Sequence, residues 1–149
     1  MKRKVIVSLS WVMVAAVCAT IFSFSSNAAD DSAAQSGWLR ALFEQLFGVG
    51  FTEFFVRKLA HISEFAALGF LSTFAFCYTM RNAKRFYLGI AFSLLYAVSD
   101  EIHQLYVPGR AGQVRDVFID LGGILVGAAL LGLFYLLYIK LSKRGRKNV

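Results

Sequence analysis

The chain has 149 residues, of which 58% are hydrophobic, 15% aromatic and only 17% charged, and its mean hydropathy is +0.60. A soluble domain of this length cannot bury that much apolar surface in one core, so the composition excludes an ordinary soluble protein and indicates a helical membrane protein. The formal net charge of +7 does not indicate nucleic acid as a partner. The Lys and Arg residues flank apolar runs, where they act as topology determinants and lipid contacts.

Four apolar segments are long enough to cross a membrane as helices, at about 5–24, 59–80, 86–105 and 117–139. We therefore expect one all-α integral membrane domain over 1–149 with four transmembrane helices. The first segment also resembles a secretory signal peptide, because basic residues precede it and a small-x-small site follows. Its apolar run of about 20 residues is long for a signal peptide, which favours a retained first span.

The segment between the first two spans contains a helical pattern over 37–50. Its apolar residues recur at i, i+3, i+4 and i+7, namely Leu39, Leu42, Phe43 and Leu46. Trp38 at its start suits the headgroup region. The pattern favours a short amphipathic helix lying flat in the membrane interface, and the alternative is a core helix of a small extramembrane cap.

The distribution of Lys and Arg predicts the orientation. Basic residues are concentrated at the N-terminus, in the short 81–85 loop and in the tail from Lys140. These regions are expected on the cytoplasmic side, so both termini are predicted to be cytoplasmic and residues 25–58 and 106–116 to face outward. The expected location is the cytoplasmic membrane.

Polar and ionisable residues occur near the outer ends of the last three predicted spans, each set on one helical face, with Glu101 beside the set of its span. They are Lys58, His61 and Glu64; Asp100, Glu101, His103 and Gln104; and Asp116 and Asp120, with Arg110 and Arg115 in or beside the connecting turn. An ionised side chain facing lipid costs about 2.5–3.5 kcal/mol at mid-helix. We therefore expect one polar pocket that opens outward, whereas the alternative is that these groups only hold helices together. Gly123 and Gly127 continue the stripe of the last span and predict close contact with another helix.

Two segments, KLAHISEFAALGFL at 58–71 and SDEIHQLYVPGRAGQVRDVFIDLGGILVG at 99–127, resemble the VanZ-like family of bacterial membrane proteins, and FSFSSNAADDS at 22–32 is also similar. The residues that match the family's signature are His61, Glu64, Asp100, Glu101, His103, Gln104, Pro108, Arg110, Asp116, Gly123 and Gly127. Phe65 departs from it where Tyr is frequent, and Asp120 departs where Asn is common. Because the founding member is associated with teicoplanin resistance, the resemblance implies an envelope role, but it implies no particular reaction.

Two functions compete. In the first, the pocket binds an envelope lipid or a lipid-linked cell-wall intermediate without changing it, with accessory action in glycopeptide resistance. In the second, a membrane-embedded hydrolase or transferase uses catalytic groups drawn from His61, Glu64, Asp100, His103 and Asp116. Substrate contacts in either case are expected from Glu101, Gln104, Arg110, Arg115 and Asp120, with the arginines suited to phosphate or carboxylate.

Two further alternatives have weaker support. Two His residues among carboxylates would accept Zn or Mn, but they lack the His-Glu-x-x-His spacing. No metal ligand is therefore assigned, and the sequence leaves any cofactor open. A transporter fits poorly, because four spans are few and the polar groups are confined to one leaflet.

Overall fold

The computed structural model of the chain describes residues 2–27, 52–110 and 112–147, together with 37, 40–42, 44–46, 48 and 50. Its principal elements are four helices: α1 (Lys2–Ser25), α2 (Glu53–Thr79), α3 (Arg85–Gln104) and α4 (Val114–Lys147). Each corresponds to one of the four apolar segments. Helices α1, α2 and α4 begin three to six residues before the predicted segment, whereas α2 and α3 end one residue before its predicted end. Within the described part of the chain there are helices and turns but no strand.

Side-chain contacts fix the directions of the helices. Arg3 donates from Nε and Nη2 to the carbonyl oxygen of Tyr78, at 3.2 and 2.9 Å, so the start of α1 lies beside the end of α2. At the other end, Ser25 of α1 contacts Asp100 of α3. Hence α1 and α3 run in one direction, and α2 runs in the other. We call the end with Glu64, Asp100, Glu101, Asp116 and Asp120 the acidic end, and the end with Arg3, Arg81 and Arg85 the basic end.

The closest helix packing joins α2 and α4. A Cβ atom at Gly123 would lie 2.5 Å from the carbonyl oxygen of Ile62, and one at Gly127 would overlap the carbonyl oxygen of Ala66. The predicted role of Gly123 and Gly127 is confirmed, since only glycine lets the two backbones approach this closely. Gly69 is the corresponding position on α2, where a Cβ would lie 2.5 Å from the carbonyl oxygen of Ile124.

A buried hydroxyl pair joins α2 and α3 near the middle of the bundle. The Oγ atoms of Ser72 and Ser93 are 2.7 Å apart, and each also lies 3.1 Å from the carbonyl oxygen of Gly89. Both serines are fully buried. Such bonds satisfy polar groups that have no access to water and hold neighbouring membrane helices together.

Helix α1 is an integral part of the bundle. Val14 and Ile21 are buried in the same apolar core as Phe65, Leu68 and Ile124. Where α1 approaches α3, the hydroxyl of Tyr96 donates to the carbonyl oxygen of Cys18 at 2.5 Å. This packing supports the interpretation of residues 5–24 as a retained helix.

Three of the described helices contain stretches long and apolar enough to cross a membrane, Lys2–Ser25, Phe55–Thr79 and Val114–Lys143. The third predicted span, 86–105, is not among them, because Asp100, Glu101 and His103 lower its hydropathy. Its outer surface is nevertheless apolar, with Leu95 71% exposed.

The predicted interfacial helix at 37–50 lies partly outside the described residues. Residues 40–42 and 44–46 are helical, and Leu42 and Leu46 are exposed. Trp38, Leu39 and Phe43 lie outside the described residues, so the amphipathic face stays a prediction.

Candidate functional site

The candidate site is the acidic end, where α2, α3 and α4 bring their polar residues together. His61 of α2 interacts electrostatically with Asp100 and Asp116, and Asp120 interacts with Glu101, Asp100 and Asp116. The predicted convergence of charged groups from three helices is therefore present. The groups divide into two neighbouring sets, which we call the Asp100 group and the Asp120 group.

The Asp100 group faces α1 and consists of Ser25, Asp100 and Gln104. The side chain of Asp100 is almost completely buried, and its Oδ2 atom accepts hydrogen bonds from Ser25 Oγ and from Gln104 Nε2, both at 2.9 Å. Asp100 and Gln104 are four residues apart on α3, so they lie on one face and point together at the last turn of α1. These bonds compensate for removing the carboxylate from water.

Ser25 was not among the residues that the sequence analysis selected. Its neighbour Ser26 was also missed, and Ser26 Oγ lies 3.1 Å from His103 Nε2. The only signal for either residue was the similarity of the FSFSS segment to the VanZ-like family, which assigns no partner to a serine.

His103 lies against α1. Its ring stacks on Phe22 with a centroid separation of 4.6 Å, and its Nε2 atom lies 3.1 Å from Ser26 Oγ. The structure therefore places His103 and His61 at the same end of the bundle, with His103 in contact with α1. The role of His103 as a general acid or base stays a prediction.

The Asp120 group lies between α2, α3 and α4 and consists of His61, Glu101 and Asp120. Asp120 is 1% exposed, and neither of its carboxyl oxygens has a hydrogen-bond partner among the described residues. His61 Nδ1 lies 3.8 Å from Asp120 Oδ1, which is too long for a hydrogen bond. Glu101 Oε1 is also buried and without a partner in this part of the chain.

The turn after α3 folds back over Glu101. Glu101 Oε2 accepts a hydrogen bond from the backbone N–H of Gln113 at 2.8 Å. A Cβ atom at Gly112 would overlap the carbonyl oxygen of Glu101, so glycine permits this close return of the chain. One oxygen of Glu101 thus fixes the loop that leads into α4, while the other remains in the Asp120 group.

Lys58 and Asp116 close the site on the side of α2 and α4. Their side chains form an ion pair that is about one-fifth exposed. Asp116 lies in the first turn of α4, where a negative charge interacts favourably with the helix dipole. Glu64 lies deeper on α2 and interacts electrostatically with Asp100 and Arg110.

Arg110 joins the turn to the end of α1. Its Nε donates to the carbonyl oxygen of Asn27 at 3.2 Å, and its Nη2 donates to that of Phe24 at 3.1 Å. Burial lowers the pKa of Arg110, and the nearby Arg57 lowers it further. Arg110 therefore satisfies the carbonyl group of Phe24, in the last turn of α1, and that of Asn27, just beyond the helix. Arg115, in contrast, is exposed in the first turn of α4.

No three His, Cys, Asp or Glu side chains among the described residues are arranged to hold a metal ion. In that part of the chain, the proposal of a Zn or Mn site has no ligand set to support it. The chemistry available is that of carboxyl groups, one imidazole and two cations at the edge of the cluster.

The helices and this buried polar cluster define the class of the protein, a helical membrane protein with ionisable groups inside its bundle. The sequence model of the VanZ/LLP1 family matches residues 10–137, which include all of α2 and α3 and most of α1 and α4. The chain belongs to this family, which confirms the resemblance found in the sequence. No curated protein and no solved structure matches the chain.

Proposed function

We propose that the protein crosses the bacterial cytoplasmic membrane four times, with both termini in the cytoplasm and the acidic end at the extracytoplasmic surface. The concentration of Lys and Arg at the basic end and in the tail supports this orientation. Helix α3 has 20 residues and is therefore about 30 Å long, which matches the hydrocarbon thickness. Its buried carboxyl groups, Asp100 and Glu101, face α1 and the turn before α4, so α3 crosses the membrane without presenting them to lipid.

At the acidic end, the protein binds the headgroup of an envelope lipid or a lipid-linked cell-wall intermediate. The observation that carries this proposal is the Asp120 group, where three buried carboxyl oxygens lack a hydrogen-bond donor among the described residues. Buried polar atoms without partners are rare and costly, so a donor supplied by a ligand would be favourable there. Hydroxyl, amine and amide groups of a sugar or peptide headgroup are donors of this kind.

The positions of the arginines change how the headgroup would be recognised. Arg110 donates to carbonyl groups of α1, and Arg115 is exposed. Two modes of headgroup recognition can be compared. Carboxyl oxygens that accept hydrogen bonds from the headgroup have more support than two arginines that bind its phosphate. An accessory role in resistance to glycopeptides such as teicoplanin is consistent with binding a cell-wall precursor, and it rests on family membership.

A membrane-embedded enzyme is the second candidate. The observation in its favour is the separation of 3.8 Å between His61 Nδ1 and Asp120 Oδ1. A carboxylate beside an imidazole can orient it as a general base, and such contacts are often long until a substrate is bound. A small rotation of either side chain would form the hydrogen bond.

Purified protein incubated with labelled envelope lipid extracts separates the two candidates. Binding predicts saturable retention of an unchanged lipid by the wild type, detected by native mass spectrometry, and its loss in Asp120→Asn and Glu64→Gln. Lys143→Gln, at the opposite end of the bundle, is the control and is expected to retain the lipid. Turnover that disappears in His61→Ala would instead establish the enzyme. Neither retention nor turnover, or retention unaffected by both carboxyl variants, would contradict a ligand site at the acidic end.

A further inference from the structure

A groove at the basic end of the bundle is separate from the acidic cluster. Its volume is 1130 Å³, and residues from α1, α2, α3, α4 and the turn between α2 and α3 line it. Three of these residues are arginines, Arg3, Arg81 and Arg85, and among the described lining residues none is acidic. The positive charge of the groove is therefore not balanced within its own walls.

The charged and apolar parts of the groove lie at different depths. Phe74 precedes Arg81 by seven residues, five of which belong to α2, so the aromatic floor lies about 10 Å below the arginines along the helix axis. Phe134 of α4 is also part of the floor, and it contacts Phe70 of α2 edge-on at 6.2 Å. The groove is therefore basic at its rim and apolar towards the middle of the bundle.

Arg3 is held at the rim by the structure itself. Its Nε and Nη2 both donate to the carbonyl oxygen of Tyr78, which belongs to the last turn of α2. Because this contact fixes the guanidinium, less side-chain entropy is lost when an anion binds beside it. Asn82, in the turn between the helices, adds an amide donor to the same rim.

We propose that this groove binds one anionic phospholipid, with its phosphate on Arg3, Arg81 and Arg85 and an acyl chain against Phe74 and Phe134. Charge complementarity selects the headgroup, since guanidinium groups form strong charge-assisted hydrogen bonds with phosphate. The apolar floor of the groove favours a lipid over a free phosphate ester, because only a lipid has an acyl chain that can fill it. Basic pockets between transmembrane helices are suited to anionic headgroups.

The test uses the full-length protein, reconstituted with phosphatidylglycerol or phosphatidylcholine and analysed for retained lipid by native mass spectrometry. The wild type is expected to retain one phosphatidylglycerol and no phosphatidylcholine. The double variant Arg81→Gln and Arg85→Gln is expected to bind phosphatidylglycerol at least about tenfold more weakly. Lys140→Gln combined with Lys143→Gln removes the same charge from exposed positions of α4 outside the groove, and it should change affinity less than about twofold.

A second pair of variants tests the acyl-chain part of the groove. A Cβ atom at Gly132 meets no atom within 4 Å, so Gly132→Leu should fill the groove without disturbing the fold, and lipid retention should fall. Gly122, near the opposite end of α4, is equally open, and Gly122→Leu should leave retention unchanged. Soluble glycerol phosphate should not compete with the lipid.

Equal retention of the two phospholipids, or equal losses in the groove and control variants, would overturn the proposal. If glycerol phosphate displaced phosphatidylglycerol, the groove would bind phosphate alone, and the part of the proposal that concerns the acyl chain would be wrong. The acidic-end variants Asp120→Asn and Glu64→Gln should keep the phosphatidylglycerol, so this result is independent of the proposed function.

Discussion

Charged residues are arranged differently at the two ends of the bundle. At the acidic end, charged residues lie inside the bundle and contact polar or charged groups of neighbouring helices, as Asp100 does with Ser25. At the basic end, arginines surround a groove whose floor is aromatic, and the described lining offers them no carboxylate. The Asp100 group therefore contributes to the fold, whereas at the basic end we propose that a lipid headgroup balances the arginines.

The largest loss of stability is expected from disrupting the packing of α2 against α4, on which both ends of the bundle depend. Gly127→Leu would force α4 away from the backbone of α2, and because the overlapped atom is the Ala66 carbonyl oxygen, it should cost about 3 kcal/mol or more. Thermal unfolding in detergent should show little or no folded protein. Gly122→Leu, with open space around it, should unfold like the wild type, and a stable Gly127→Leu would show that the two helices are not in close contact.

The second-largest loss of stability is expected from a change in the Asp100 group. Asp100→Ala removes the acceptor for both Ser25 and Gln104, so stability should fall by about 1–3 kcal/mol. The loss should show as a lower unfolding temperature in detergent. Ser99→Ala, on an exposed neighbouring position, is the control. If Asp100→Ala were as stable as the control, the buried hydrogen bonds would not form.

A smaller effect is expected from Arg110→Ala. The variant removes hydrogen bonds to the carbonyl groups of Phe24, in the last turn of α1, and of Asn27, just beyond it. This end of α1 should therefore open more often, at a cost of about 1 kcal/mol. Hydrogen exchange should rise in residues that follow Phe24 and remain unchanged at the start of α1. Arg115→Ala removes an exposed arginine and should leave exchange unchanged, and equal exchange in the two variants would contradict the capping role.

The smallest effect belongs to the ion pair at the edge of the acidic end. Lys58→Ala should cost no more than about 1 kcal/mol, because the pair is partly exposed and screened by salt. The difference in unfolding temperature between Lys58→Ala and the wild type should shrink as salt is raised. A difference that is independent of salt would mean that the pair is buried more deeply than the structure shows.

The sequence predicted the helices and much of the acidic end because both depend on local patterns. Apolar runs and basic flanks located all four helices, and the spacing of Asp116, Asp120, Gly123 and Gly127 placed one face of α4 inside the bundle. That face is confirmed by the burial of Asp120 and by the contacts of both glycines with α2.

The contacts that could not be predicted from the sequence are those between the end of α1 and the residues of α3 and of the turn after it. Ser25 and Ser26 follow no periodic pattern, and their partners lie more than 70 residues away. For the same reason, the contacts of His103 with Phe22 and Ser26 were not predicted, since they require the docked α1. Arg110 was expected at a pocket mouth, and its contacts with Phe24 and Asn27 also require the docked α1.

The most direct test of the account is the labelling rate of single cysteines by a membrane-impermeant maleimide, in a chain whose Cys18 and Cys77 are replaced by serine. Arg115→Cys should react in intact cells, Asn82→Cys only after permeabilisation, and Asp120→Cys only after denaturation. This result would place buried carboxyl groups inside the bundle at the extracytoplasmic end. Labelling of Asn82→Cys in intact cells, or of Asp120→Cys as fast as Arg115→Cys, would contradict it.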